Sequence, residues 1–165
     1  MAENKTRRKK EAWRLFRVML YIPVPWVFVL AYLIGAGLSI LVPFSSAHYQ
    51  LFTIGGGAFF LIGAGFAGWG LYVFHKARTT TIPGQTSTKV VTWGPYRFTR
   101  NPMYIGLILV YVGEAGLLAQ IWPLFILPLV VAYVNWVVIP VEEARLTEDF
   151  GAEYEQYCAK VRRWV

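Results

Sequence analysis

The amino-acid sequence predicts an all-α integral membrane protein, with four transmembrane helices followed by a cytoplasmic amphipathic helix at the C-terminal end. Two observations predict this class. Of the 165 residues, 56% are hydrophobic and only 15% are charged, and the charged residues are confined to a few segments. A helix needs roughly 20 apolar residues to cross a bilayer, and hydrocarbon offers no other partners to backbone polar groups. Residues 1–165 therefore form a single membrane domain.

Four segments have the composition of membrane spans. Residues 18–44, 51–74 and 121–141 contain no charged side chain. The remaining segment, residues 102–119, is interrupted only by Glu114. An acid inside a membrane is a functional candidate by default, although a buried or interfacial structural position also suits Glu114. Because a short turn separates the last two spans, we expect them to form an antiparallel helical hairpin.

The second span is rich in glycine: Gly55, Gly56, Gly57, Gly63, Gly65, Gly68 and Gly70. Small residues let two helices approach closely in lipid. We therefore interpret these glycines as a packing surface, since a phosphate-binding glycine loop does not suit a hydrocarbon environment.

The positive charges predict the orientation. All 16 Lys and Arg residues precede the first span, lie between the second and third in or next to the 75–101 loop, or follow the fourth span in the segment 142–165. The positive-inside rule then places both termini and the loop in the cytoplasm, and we expect a prokaryotic inner membrane. The net charge of +7 is explained by this topology and by anionic lipids, without nucleic acid. The single cysteine, Cys158, excludes a disulfide framework and a cysteine-cluster metal site.

Two groups of polar and aromatic residues flank the predicted hairpin, which brings both to one membrane face. The first is the segment 94–106, GPYRFTRNPMYIG, and the second is the acidic pair Glu142 and Glu143 with the helix that follows. Asn101 and Pro102 are typical of a helix start. A helix N-terminus with arginine suits a carboxylate, glutamates suit an ammonium group or ribose hydroxyls, and aromatic rings suit adenine or a sulfonium. This set fits S-adenosylmethionine, and a phospholipid headgroup would satisfy much of it.

Each of these residues also has a purely structural interpretation. The Asn-Pro pair serves as a helix cap, and Arg97 and Arg100 serve as flanking charges. Tyr96 and Tyr104 suit an interfacial aromatic belt, and the two glutamates suit the first turn of a helix. Only the two groups taken together favour a ligand site.

The run GPYRFTRNPMYIG, an apolar hairpin and then EEARLTEDFGAEYEQYCAKVRRW resemble the isoprenylcysteine carboxyl methyltransferase and phospholipid methyltransferase superfamily. The resemblance covers about residues 91–164. It implies an S-adenosylmethionine-dependent integral membrane methyltransferase, with the methyl donor in a cytoplasmic pocket and a lipophilic acceptor entering from the membrane.

The resemblance also assigns residues to roles. The positions carried over to cofactor binding are Tyr96, Asn101, Pro102, Met103, Tyr104, Gly106, Glu142 and Glu143. The positions carried over to the catalytic group are Arg100 and Glu143, which would orient the acceptor, and Tyr154 and Arg163, which would close the pocket.

The acceptor is left open by two departures from the pattern. Asn101 stands where prenylcysteine enzymes usually have His, and residues 136–141 lack the arginines that those enzymes carry before the acidic pair. The acceptor is therefore an isoprenylcysteine-like carboxylate or a phospholipid amine. An NADPH-dependent membrane reductase of the sterol-reductase type and a non-enzymatic lipid-binding protein are the alternative functions.

Overall fold

The computed structural model describes residues 23–43, 49–77 and 90–165, and within these ranges the regular structure is helical. The helices are α1 (Val24–Leu41), α2 (Tyr49–Ala77), α3 (Pro102–Leu117), α4 (Trp122–Tyr133), α5 (Ile139–Phe150) and α6 (Ala152–Lys160), with a 3₁₀ turn at Gly94–Arg97 and a π-helical turn at Val134–Val138. The basic N-terminal arm, the outer residues of the predicted first span and residues 78–89 of the predicted loop lie outside the described residues.

Three described helices are long and apolar enough to cross a membrane: Val24–Leu41, Gln50–Ala77 and Trp122–Phe150. The predicted third span forms α3, which has 16 residues and a length of about 24 Å. It is apolar but shorter than the other three, because the chain turns at Leu118 and Ala119 takes a positive φ of 50°.

The sequence predicts that the last span ends at residue 141 and that a separate cytoplasmic segment, 142–165, follows it. In the structure the helix does not end there: α4, the π turn and α5 continue as one helix from Trp122 to Phe150. Pro140 has no backbone N–H to donate. The π turn, which ends two residues before Pro140, changes the local hydrogen-bond pattern, and the helix continues through the proline. The helix ends instead at Gly151, whose φ is +51°. The predicted surface helix after the acidic pair is therefore divided between α5 and α6.

Glycine contacts hold α2 against α3. A Cβ atom on Gly63 of α2 would lie 2.6 Å from the backbone nitrogen of Val110, and one on Gly113 of α3 would lie 2.3 Å from the backbone nitrogen of Phe60. Both distances are far below van der Waals contact, so the two backbones touch where a side chain would separate them. The interpretation of the glycine-rich span as a packing surface is confirmed at Gly56 and Gly63, and it is wrong at Gly55, Gly65 and Gly68, where a Cβ atom would meet nothing within 4 Å.

The helix α1 packs chiefly against α4, and hydrogen bonds join the elements near the α3–α4 turn. The Tyr32 hydroxyl donates to the Gln120 side chain at 3.1 Å, and the Tyr111 hydroxyl donates to the Pro123 carbonyl at 3.0 Å. The Trp122 indole N–H donates to the Val42 carbonyl at 2.8 Å. The hairpin of α3 and α4 is thereby anchored at its turn, and its other end carries the polar residues.

Candidate functional site

The segment before α3 is held against α2 by buried side chains. Tyr96, in the 3₁₀ turn, is buried and makes an edge contact with Phe74, with ring centroids 5.1 Å apart. Gly94 has a φ of +65°, and a Cβ atom there would lie 2.7 Å from a methyl carbon of Val73. Thr99 is completely buried. The residues that lead into α3 are therefore in fixed positions.

The C-terminal segment after α6 binds back onto this loop. The Arg100 backbone N–H donates to the Arg162 carbonyl at 3.0 Å. The Arg163 carbonyl accepts from the Thr99 hydroxyl at 3.1 Å and from the Asn101 side-chain amide at 2.9 Å. Asn101 occupies the predicted N-cap position of α3, but its side chain makes no capping bond. It binds the C-terminal segment instead.

Glu143 of α5 is the centre of an ionic cluster. Its carboxylate accepts two hydrogen bonds from the Arg163 guanidinium, one of them from Nε to Oε1 at 3.1 Å. The Arg100 Nη1 atom lies 3.1 Å from the same Oε1. One carboxylate thus joins α5 to the loop before α3 and to the C-terminal segment.

Glu142 binds a different partner. The Tyr104 hydroxyl, on the first turn of α3, donates to Glu142 Oε1 at 2.7 Å. The two neighbouring acids therefore both face the start of α3. The prediction that the two polar groups meet at one end of the hairpin is confirmed.

Arg100 is the least satisfied group in the cluster. Its Nη1 also donates to the Cys158 sulfur at 2.7 Å, whereas its Nε is buried and has no hydrogen-bond partner among the described residues. Burial alone would lower the pKa of the Arg100 guanidinium, but Glu143, Cys158 and Tyr154 together raise that pKa above its ordinary value. The guanidinium is therefore charged and retains a buried N–H donor that could bind an anionic group.

Three buried tyrosines surround the cluster. The Tyr157 hydroxyl donates to the Tyr96 carbonyl at 2.7 Å, which fixes α6 against the loop. Tyr154, on the same helix, is buried near Cys158 and Arg100. Burial raises the pKa of the phenols of Tyr96, Tyr154 and Tyr157, so all three are neutral hydrogen-bond donors at physiological pH.

Some of the predicted site residues lie against α2. A Cβ atom on Gly106 would lie 2.6 Å from the Cβ of Ala67. A Cβ atom on Gly70 would lie 3.1 Å from Met103 and within 4 Å of Tyr96 and Pro102. These residues form the wall between α2 and α3, and their contact with a ligand stays a prediction. Glu114 lies 13 residues after Asn101, which corresponds to about 20 Å along the axis of α3.

Sequence reasoning missed several contacts. Thr99 and Cys158 carry no pattern that distinguishes them from ordinary polar residues, yet both contact the arginines. Asn135, in the π turn, accepts a hydrogen bond from the Trp164 indole N–H at 2.9 Å. That pair had a signal in the sequence, because a side-chain amide in an otherwise apolar span needs a partner.

The model of one protein family matches the chain. This family is described as phospholipid methyltransferase, and its model matches residues 51–153, from α2 to the first residues of α6. No curated protein and no solved structure matches the chain at a significant level. The matched range includes Arg100, Tyr104 and both acids, and it ends before Tyr154.

Proposed function

The chain belongs to the phospholipid methyltransferase family, and from this premise we propose that it transfers a methyl group from S-adenosylmethionine to a lipid within the membrane. In this proposal α3 also crosses the membrane, as the third of four spans, and the ionic cluster lies at the cytoplasmic face. The observation that carries the proposal is the meeting of Arg100, Glu143 and Arg163, because it places cations, an acid and tyrosines from separate parts of the chain around one point.

The donor set suits S-adenosylmethionine, which would supply an electrophilic methyl group when bound. Its carboxylate requires an N–H donor, and the buried Nε of Arg100 is such a donor, with no partner among the described residues. Its ammonium and ribose hydroxyls require acceptors, and Glu142 has a second carboxylate oxygen beyond the one that Tyr104 binds. We assign cofactor binding to Asn101, Tyr104 and Glu142, together with the wall around Tyr96, Pro102, Met103 and Gly106.

The protein residues act mainly by positioning. Holding two reactants in a productive geometry removes several kcal/mol, up to about 7–11 kcal/mol, from a bimolecular barrier. Glu143 fixes the guanidinium groups of Arg100 and Arg163, and these orient the acceptor headgroup. Tyr154 of α6 and Arg163 of the C-terminal segment would close the site over the start of α3 and keep water from the reacting groups.

A phospholipid amine is the acceptor that the family description favours, and an isoprenylcysteine-like carboxylate is the second acceptor class. The two classes differ in charge, because an amine headgroup also carries a phosphate that an arginine can bind. The Arg163 guanidinium, whose side chain is about a third exposed, is the group that would bind this phosphate. We therefore propose the amine of a phospholipid as the methyl acceptor, which accepts the methyl group as the neutral amine after its ammonium form has released a proton to water.

The first test is methyl transfer by the purified chain. The protein in lipid nanodiscs is incubated with radiolabelled S-adenosylmethionine and a total lipid extract, and the labelled lipid is identified by mass spectrometry. We expect label in a phospholipid headgroup, and loss of that label in Glu143→Gln. Asp149→Asn is the matched control, because Asp149 is an exposed acid on the same helix that pairs only loosely with Arg145, at 3.8 Å.

Binding calorimetry separates the alternative functions. Binding of S-adenosylhomocysteine and not of NADPH supports a methyltransferase. Binding of NADPH alone would indicate the reductase, and binding of neither would indicate a non-enzymatic lipid-binding protein. Either of these two results overturns the proposal.

A further inference from the structure

A groove of about 550 Å³ lies along one side of the helix Trp122–Phe150. Its lining includes Leu124, Leu127, Val131, Ala132, Asn135 and Trp164. From Leu124 to Trp136, which also lines it, the groove follows roughly 18 Å of helix axis. Its volume is within the roughly 300–1,000 Å³ that is usual for sites of small ligands.

The chemistry of the lining selects a hydrocarbon. The side chains are aliphatic or aromatic apart from Asn135, and the amide oxygen of Asn135 already accepts the hydrogen bond of the Trp164 indole N–H. The indole N–H and the Asn135 amide oxygen are therefore paired with each other. Apart from the NH2 group of Asn135, the lining is an elongated apolar surface, which gains most from contact with an unbranched alkyl chain.

One end of the groove reaches the ionic cluster. Trp164 directly follows Arg163, which binds Glu143, and Trp164 itself is joined to the π turn at Asn135. A molecule that occupied the groove with a long apolar part would thus have its other end close to the arginines.

We propose that this groove binds one acyl chain of the phospholipid that is methylated, and that the Asn135–Trp164 pair marks the point where the chain ends and the headgroup begins. This inference rests on the proposed function and names its substrate as a long-chain diacyl lipid. The occupant follows from the position of the groove on a candidate membrane span, from its apolar lining, and from the family to which the chain belongs. A second copy of the chain is the competing occupant.

The first experiment compares acceptors of different chain length. Methyl transfer to phosphatidylethanolamine with two hexadecanoyl chains is measured beside transfer to the soluble dibutanoyl form, and the ratio of the two kcat/KM values is taken. Ala132→Trp fills the groove, and we expect it to lower that ratio about tenfold, since each buried methylene contributes roughly fourfold to affinity. Ala58→Trp is the matched control, because Ala58 is an exposed alanine on α2, and its ratio should equal that of the wild type. An unchanged ratio in Ala132→Trp would overturn the inference while leaving the methyltransferase proposal intact.

The second experiment does not depend on turnover. Phosphatidylethanolamine with a diazirine near the end of one acyl chain is diluted into phosphatidylglycerol nanodiscs, irradiated, and mapped on the protein by mass spectrometry. We expect labelling of residues 124–136 to exceed labelling of the lipid-exposed surface of α2 about threefold or more, as a bound chain exceeds a passing one, and Ala132→Trp to remove the excess. Equal labelling of both surfaces would overturn the inference, as would crosslinks between two copies of the chain through this groove. Because labelling requires no S-adenosylmethionine, its result stands even if the wild type transfers no methyl group.

Discussion

Replacing Glu143 by glutamine tests the ionic cluster most directly. The substitution keeps the size of the side chain but removes the charge that both Arg100 and Arg163 share. The side chains are 16% exposed at Arg100, 20% at Glu143 and 33% at Arg163. Breaking a fully buried pair costs about 3–5 kcal/mol and an exposed pair about 0–1 kcal/mol. With exposures between these limits we expect a loss of about 2 kcal/mol.

The assay is thermal unfolding of the detergent-solubilised chain, followed by tryptophan fluorescence. For a chain of this length, 1 kcal/mol corresponds to a shift of about 2–4 °C, so Glu143→Gln should lower Tm by about 4–8 °C. Asp149→Asn removes an acid of the same helix whose side chain is 25% exposed and whose ion pair with Arg145 is longer, at 3.8 Å, and its Tm should change by less than about 2 °C. Equal shifts in the two variants would refute the reasoning, because the cluster would then contribute no more than a surface pair.

The remaining predictions concern packing and the buried phenols, and each uses the same unfolding assay. Gly63→Ala should destabilise the chain by about 1–3 kcal/mol, because the new Cβ would meet Val110, whereas Gly65→Ala, which meets nothing within 4 Å, should be neutral or slightly stabilising; equal losses would contradict the close contact of α2 and α3. Tyr157→Phe should cost about 1–3 kcal/mol, because it leaves the buried Tyr96 carbonyl without its donor, and a wild-type Tm would show that the bond contributes nothing. The phenol pKa of Tyr157 is raised in the folded state. The contribution of this phenol to stability is therefore complete below about pH 10, the ordinary tyrosine value, and is lost as the pH rises towards the folded pKa. Tyr157→Phe should lose less stability than the wild type above about pH 10, and identical pH profiles of the two proteins would contradict the assignment.

The helical architecture could be predicted because it depends on a strong signal. Charge-free runs such as residues 51–74 must satisfy their backbone internally wherever water is absent, and α2 includes that whole range. The end of the last long helix was predicted less well. Pro140 followed by two acids usually ends a span, but in this chain both acids are bonded to other elements, and the helix continues to Phe150. Tertiary contacts set the end of this helix, and such contacts produce no local pattern in the sequence.

The candidate site, too, could be predicted from the sequence only in part. Arg100, Tyr104 and the two glutamates could be predicted to meet, because the hairpin returns the chain to one end. The position of Arg163 in the site depends on two backbone carbonyls, those of Arg162 and Arg163. These carbonyls accept hydrogen bonds from residues 99–101. A carbonyl is present at every residue, so no side-chain pattern distinguishes the two that are used. Asn101 shows the consequence, since a residue with the sequence signature of a helix cap serves to hold the C-terminal segment.

One continuous helix connects the two parts of the molecule on which the proposed function depends. Its first half carries the groove around Ala132, and its second half carries Glu143. The π turn lies between them, and Asn135 in that turn holds Trp164, the residue next to Arg163. A π turn inside an α-helix is rare and is frequently found at functional sites. Here it directs a polar side chain to the C-terminal segment at the boundary between an apolar surface and an ionic one, which is the boundary that a lipid has between its chains and its headgroup.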